Sequence, residues 1–563
     1  MKNPDLEKYL QEFDSFFNTA CKRVPQNNSF DITGTENSCW KLLVNEKGVV
    51  TIETQYVPEH LPQDCYKQVR RTMLTLFDPE REGLGHFISA VSHTCLDNWL
   101  PVSVVKFRTD RFDMVEEIIL TDHEGNLQLS VNADEKRRVY KVEVPATQDL
   151  DVIWQMKDPL PQFMPDGAYF DRELAEIKTY WNSKLAPVLN WDFPHAYLKN
   201  GILSALVKTL ITQYNGAIRY GATRYYCDAE RTAESFPPTI ITAAESFLFY
   251  GLTDEALRIF GSFADDFIYD GEIHHRGNGS SISEHGMILE CFTNCCKATK
   301  NEDFFNRYAP VMDSVAERLL NLIREAGTSL IKGCPEDDLR EIPHMQWFSS
   351  NLWAAGGLLS YSAISNIPLP VEEIKSFAAR TVKCCIASTL QTPDGEFIPP
   401  CPEFKEVFAD MNDFVELIPE DDIHSMASYA NYRFYPEMLS SSLLPEETAR
   451  KIIAYRKNHG GDFYGATTFR IFRDYQPYSK ERCLDDWPLF NLLRGTAFYG
   501  DFTEHARLLA GHLALHQARG TYFAPEMSFR DHLDSTHCVP SQLTLPLAIR
   551  YLFPDKTKIT SAN

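Results

Sequence analysis

One regularity constrains this chain more than any other: its second part reads as twelve helical runs whose connections alternate between short and long. The runs fall near 199–217, 237–251, 252–269, 283–299, 301–326, 344–364, 370–390, 424–440, 445–459, 484–499, 501–518 and 538–552. Within a pair the connection is a brief turn, as in YGLTDEA, KATKNED and AFYGDFTEHA. Between pairs it is long, and long structureless connections inside a folded unit are usually functional. Helical hairpins recurring at a period of about 50 residues bury their apolar faces by stacking side by side. If the stack closes, an inner ring forms inside an outer one and every long connection emerges at the same end. The pattern therefore predicts an (α/α)6 toroid, a six-hairpin barrel.

The texture before it is different. Between residues 37 and 150 short, alternating, β-branched segments (CWKLLV, VVTIETQYV, VSVVKF, EEIILT, LQLSVNA, VYKVEV) are separated by turn signals such as NEKG and DHEGN. This predicts an antiparallel β-sandwich. The expected organisation is a sandwich domain with a short leading helix over 1–160, a linker helix region over 161–198, and the barrel over 199–563.

Composition narrows the partners. A net charge of −23 over 563 residues opposes binding to nucleic-acid phosphates or anionic lipid, because a polyanion gains no counterion release from another. No window reaches the ~18 apolar residues of a membrane span, and the acidic amphipathic start carries no secretory h-region. A cytoplasmic chain that binds neither nucleic acid nor membrane is expected; nothing indicates its oligomeric state. The 14 cysteines are scattered and fall in part inside apolar helical runs, where a reduced thiol is a small hydrophobe. No CxxC pair appears and no histidine ligand spacing is read, so no metal and no cofactor are expected.

The long connections carry the chemistry. In order they contain GATRYYCDAERTAESFPP, YDGEIHHRGNGSSIS, GTSLIKGCPEDDLREIP, the long stretch from QTPDGEF to PEDDI, HGGDFYGATTFRIFRDYQPYSKERC and ARGTYFAPEMSFRDHLDSTH. They are rich in acids, aromatics, His and Arg, and the short turns are not. A mouth lined this way suits a sugar, whose C–H faces stack on rings while its hydroxyls meet carboxylates and Arg. Hydrolysis of a glycoside needs one carboxylic acid to protonate the leaving oxygen and one carboxylate to activate water or act as nucleophile. The third and sixth connections can face each other across a ring, which pairs Glu336 or Asp338 with Glu526. Tyr226, His275, Trp347 and Trp487 are expected sugar contacts. Glu284, just after Ser283 at a helix start, reads either as a substrate contact or as a favourable first-turn acid. Asp485 and Asp486 read as first-turn acids.

The second half resembles the six-hairpin glycosidase superfamily, which includes the glucoamylase, trehalase and glycogen-debranching groups. The resemblance covers roughly residues 170 to 555 and lies in the hairpin pattern and three stretches: YYCDAERTA with GLTDEALRIF, PEDDLREIPHMQWFSSNLWAAGGL, and YFAPEMSF. It implies that Asp228 and Arg231 bind the terminal sugar, that Glu336 or Asp338 is the acid, and that Glu526 is the base. The expected activity is an inverting, exo-acting glycoside hydrolase on small oligosaccharides or glycosides. Three alternatives stand beside it: phosphorolysis on the same barrel, a non-catalytic sugar-binding protein, and a lyase or epimerase relying on His274, His275 and Tyr226.

Overall fold

Two antiparallel sheets precede the helices in the computed structural model, which describes residues 4–23, 28–36, 41–56, 68–74, 85–144, 162–213, 217–222, 236–275, 278–334, 344–392, 395–403, 430–458, 462–467, 484–529, 532–534 and 536–553. After helix α1 (Leu6–Arg23), strands β1 (Phe30–Thr33), β2 (Lys41–Asn45), β3 (Val50–Tyr56) and β4 (Gln68–Leu74) pair in chain order. The second sheet runs in chain order from β5 (Phe87–Cys95) through β6 (Ser103–Thr109), β7 (Val115–Thr121), β8 (Leu127–Ala133) and β9 (Lys136–Val142) to β10 (Gln162–Met164). Successive side chains of a strand point to opposite faces, and β2 uses both. Leu42 and Val44 share one buried cluster with Val105, Phe107, Ile119 and Leu129 of the second sheet. Leu43, between them, packs into the helical core.

Helices dominate the rest. A junction of α2 (Ala168–Lys184) and α3 (Ala186–Leu189) leads to α4 (Ala196–Ile211), and then the hairpins follow. They comprise α5 (Pro237–Tyr250), α6 (Thr253–Phe267), α7 (Ile282–Thr299), α8 (Glu302–Ala326), α9 (Phe348–Tyr361), α10 (Val371–Ala387), α11 (Tyr435–Ser440), α12 (Glu446–Asn458), α13 (Leu489–Phe498) and α14 (Phe502–Leu515). The last run is split at Leu543 into α15 (Val539–Gln542) and α16 (Thr544–Leu552).

Burial alternates along this series. Helices α5, α7, α9, α11, α13 and α16 are buried nearly all round, whereas α6, α8, α10 and α12 bury one stripe and expose the other. That is how helices packed on every side differ from helices facing solvent. The buried members pack in order, α5 on α7, α7 on α9, α9 on α11, α11 on α13 and α13 on α16, and α16 packs back on α5. At that return the Tyr250 hydroxyl donates to the Pro546 carbonyl (3.0 Å), and Arg550 pairs with Glu245. The tightest crossing, α7 on α9, needs glycine on both sides: a Cβ on Gly286 would lie 2.0 Å from the Trp353 carbonyl oxygen, and one on Gly357 2.2 Å from that of Gly286. Helix α14 breaks the alternation because α1 lies over it, with the Tyr9 hydroxyl 2.9 Å from His505 Nδ1.

Three expected helices start later than their periodicity predicts; the run at 344–364 becomes helical only at Phe348, because Met345 bridges Gly333. The run at 484–499 becomes helical only at Leu489, because Leu484 is paired as a bridge with Ser528 and Pro488 takes the cap. The run at 424–440 enters α11 through a π-helical turn, Ala430–Phe434; residues 424–429 lie outside the described residues. No helix among the described residues is long and apolar enough to cross a membrane.

Candidate active site

The buried helices begin at one end of the bundle, and the described parts of the six long connections meet there through an unbroken chain of contacts. From the third connection, the Trp347 ring stacks on Phe434 of the fourth, with centroids 4.3 Å apart. The next residue back, Arg433, reaches Glu284 of the second connection at 2.7 Å and lies 5.4 Å from the Trp487 ring of the fifth. Trp487 meets Phe236 of the first edge to face at 5.1 Å. The first connection then reaches the sixth, since the Ala222 amide donates to His537 Nδ1 (3.1 Å) and the Val539 amide to the Tyr220 carbonyl (2.7 Å). Leu484 and Ser528 exchange backbone hydrogen bonds of 2.8 and 2.9 Å, tying the fifth to the sixth.

The floor of this mouth is ionic. Arg433 is fully buried and donates through Nε to Glu437 (2.8 Å) and through Nη2 to Glu284 (2.7 Å) and Ser281 Oγ (3.2 Å). Glu284 closes a capping box at the start of α7: its other oxygen accepts from the Ser281 amide and the Ser280 hydroxyl, while Ser281 Oγ accepts from the Glu284 amide. Two carboxylates thus share one guanidinium. Burial pushes the Glu437 carboxyl up to about 7, and the Glu284 charge adds to the rise while Arg433 opposes it.

The wall beside the floor is also polar and buried. The Tyr432 hydroxyl donates to Asp485 (3.1 Å). Asp486 accepts from the Thr467 amide (2.6 Å) and from His512 Nδ1 (3.1 Å). Burial works to raise the Asp486 carboxyl, but the hydrogen bonds from His512 and Thr467 hold it below its usual range. Neither acid caps α13 through its side chain; both reach across to other elements.

The sixth connection folds back on itself as a narrow hairpin. Pro525 bridges His537, Ser528 bridges Leu533, and the Glu526 amide donates to the Thr536 carbonyl at 2.7 Å. Glu526 is partly exposed on its outgoing strand. His516 holds both flanks, with Nε2 3.0 Å from the Pro525 carbonyl and Nδ1 2.8 Å from Ser528 Oγ. A carbonyl only accepts, so Nε2 carries the hydrogen and Nδ1 accepts from the hydroxyl. Burial pushes this imidazole down to about 4, which keeps it neutral. Gln542 grips the same segment, accepting from the Ala524 amide (3.0 Å) and donating to the Tyr522 carbonyl (2.6 Å).

Of the residues singled out in the sequence, Glu284, Trp347 and Trp487 are brought together through Arg433 and Phe434. All three are buried, and both oxygens of Glu284 are engaged within the protein. His275 is placed by its backbone, opposite Asn278. Tyr226, Asp228, Arg231, Glu336 and Asp338 lie outside the described residues. Sequence reasoning missed Arg433, because an Arg and a Glu at i,i+4 carry no local mark that separates a buried pair from a solvated one. It also passed over a histidine spacing: His512 and His516 stand four apart, in the last turn of α14 and at its cap. They are no ligand pair, since both ring nitrogens of His516 are engaged, Nδ1 with Ser528 and Nε2 with the Pro525 carbonyl. Among the described residues, the metal-type cluster is His123, Glu173 and Glu176, whose donor atoms lie within 4.8 Å of one another, on the β7–β8 turn and α2.

No family model and no curated protein matches the chain. Among solved structures, a bacterial glucoamylase complexed with acarbose is 10% identical with a TM-score of 0.49, over 94% of this chain and 95% of that one. A rhamnosidase from Klebsiella oxytoca with rhamnose bound is 8% identical with a TM-score of 0.43, over 98% and 99%. A D-mannose isomerase is 9% identical with a TM-score of 0.41, over 65% and 100%. All three scores fall below 0.5, and the fold stands on the helix contacts described above.

Proposed function

We propose that this chain is a glycoside hydrolase, inverting and exo-acting on small oligosaccharides or glycosides, built on a six-hairpin (α/α)6 toroid behind an N-terminal β-sandwich. The boundaries proposed are 1–160, 161–198 and 199–563. The return of α16 to α5 supports the toroid, and the buried cluster common to both sheets supports the sandwich. The observation that carries the functional reading is the convergence of six connections on one mouth, lined with aromatic rings and carboxylates and bordered by Glu526.

In this reading Glu526 is the general base that takes a proton from water as the oxygen attacks the anomeric carbon. Glu336 or Asp338 is the acid that protonates the departing glycosidic oxygen. Tyr226, Asp228, Arg231 and His275 contact the sugar, while Trp347 and Trp487 stand behind it and Glu284 lies in the floor. Arg433 fixes Glu284 and backs Trp487, so it shapes the pocket from outside the reacting groups.

A panel of glycosyl fluorides tests this, because fluoride departs with little acid assistance. One member should be hydrolysed with inversion, seen by NMR in the anomer first formed. Glu526→Gln keeps size and hydrogen bonding but loses the basic lone pair, so turnover should fall roughly 10²- to 10⁴-fold. The amide variant of the true acid should be slow on poor leaving groups and recover on activated aryl glycosides. Near-wild-type turnover in Glu526→Gln would remove the base from this scheme.

A further inference from the structure

The N-terminal region touches the sixth connection at its start and on the returning arm of its hairpin. At its start, the chain passes so close to β5 that a Cβ on Gly520 would stand 2.1 Å from the His93 carbonyl oxygen. The Cys95 amide donates to the Gly520 carbonyl (3.3 Å), and the Thr521 hydroxyl donates to the Phe30 carbonyl at the head of β1. Behind this contact, Lys208 of α4 and Asp31 of β1 form an ion pair that is buried on both sides. At the far end, the Asn28 side chain grips one residue in both directions. Its Nδ2 donates to the Leu533 carbonyl and its Oδ1 accepts from the Leu533 amide, each at 2.9 Å.

That second contact bears on Glu526 through the hairpin itself. Leu533 bridges Ser528, two residues from Glu526, and the Glu526 amide is held by Thr536 on the same returning strand. An amide that pairs with both backbone groups of a single residue fixes its register, because a slip of one residue breaks both bonds. Asn28 is polar and adds little apolar burial, so its contribution is geometric. We propose that the N-terminal region braces the sixth connection, with Asn28 and Gly520 as positioning residues that set where Glu526 stands. The N-terminal region is then part of the active unit rather than an appended module; this rests on reading Glu526 as the base.

The test is made on the full chain with Asn28→Ala and Gly520→Ala, using two independent readouts. The first is amide hydrogen exchange. Peptides spanning 525–537 should lose protection in Asn28→Ala while those of α5 and α7 keep theirs. The second is turnover of whichever glycosyl fluoride the wild-type chain hydrolyses. Here kcat should fall roughly 10- to 100-fold with KM changed less than about threefold, as expected for a misplaced catalytic group. Combining Asn28→Ala with Glu526→Gln should add no further loss. If the Gly520 variant fails to fold, Asn28→Ala decides alone. Unchanged exchange over 525–537, or a raised KM with kcat intact, would overturn the brace. If no fluoride is turned over by the wild-type chain, the glycosidase reading fails on its own, and the exchange measurement still decides whether the brace exists.

Discussion

The floor of the mouth and its sixth connection are held by opposite means. The floor depends on charge: one buried guanidinium between two buried carboxylates, with no water-facing side to dissipate an imbalance. The sixth connection depends on neutral groups, with His516, His537 and Gln542 each meeting backbone or hydroxyl partners. Burial keeps both imidazoles uncharged, pushing His516 down to about 4 and His537 to about 3. A charged arrangement is rigid because every member requires the others, and it fails as a unit. A neutral one can lose a single hydrogen bond and stay in place, so it suits a loop that must present a side chain to solvent.

The largest way to break the contrast is Arg433→Met. It strands Glu284 and Glu437 in the interior, and unfolding should become easier by roughly 3–5 kcal/mol, the range for an uncompensated buried charge. Denaturant titration checks it, and a loss under about 1 kcal/mol would mean the floor is not ionic as described. Next comes Glu437 itself. Its carboxyl binds a proton more tightly folded than unfolded, so the folded state is favoured at low pH. That advantage is lost as pH rises from the unfolded value of 4.5 to about 7, a change on the order of 3 kcal/mol. Glu437→Gln should flatten this slope in stability measured between pH 5 and 8; an unaltered slope would contradict it.

On the neutral side, His516→Ala should cost about 1–3 kcal/mol, because the Pro525 carbonyl and the Ser528 hydroxyl are left buried without their partner. Its pH dependence has the opposite sign to that of Glu437. The folded protein resists protonating His516, so stability from this group is lost as pH falls from 6.5 through about 4, and the alanine variant should lose less in that window. Smallest is Arg137→Ala, which breaks an exposed pair with Asp171 at 2.7 Å. It should change stability by less than about 0.5 kcal/mol, screened further by salt.

Much of the fold was legible because helical hairpins advertise themselves through period and punctuation. The helix expected at 237–251 is Pro237–Tyr250, and the one expected at 301–326 is Glu302–Ala326. Glu284 shows how a local signal can be right about structure and silent about role: the Ser-x-x-Glu spacing from Ser281 forms the box, while its partner Arg433 lies 149 residues away. No pattern within a window connects those two. Asp485 and Asp486 misled for the same reason, since a carboxylate before a helix looks like a cap until the tertiary partners, Tyr432 and His512, arrive. The acids and aromatics of the sixth connection were legible, but the Asn28 side chain that meets Leu533 belongs to another part of the chain.

The lid that α1 places over α14 has a consequence for how the chain is made. Tyr9 waits for His505, 496 residues later, and Asn28 for Leu533, 505 residues later. Helix α1 therefore carries its apolar stripe, including Phe13 and Ala20, through the synthesis of the 496 residues that separate Tyr9 from His505 before the surface that covers it exists. Contacts of such sequence separation form late and slowly. Growth of this protein should be accompanied by prolonged occupancy of a nascent-chain chaperone on α1, released only when α14 emerges.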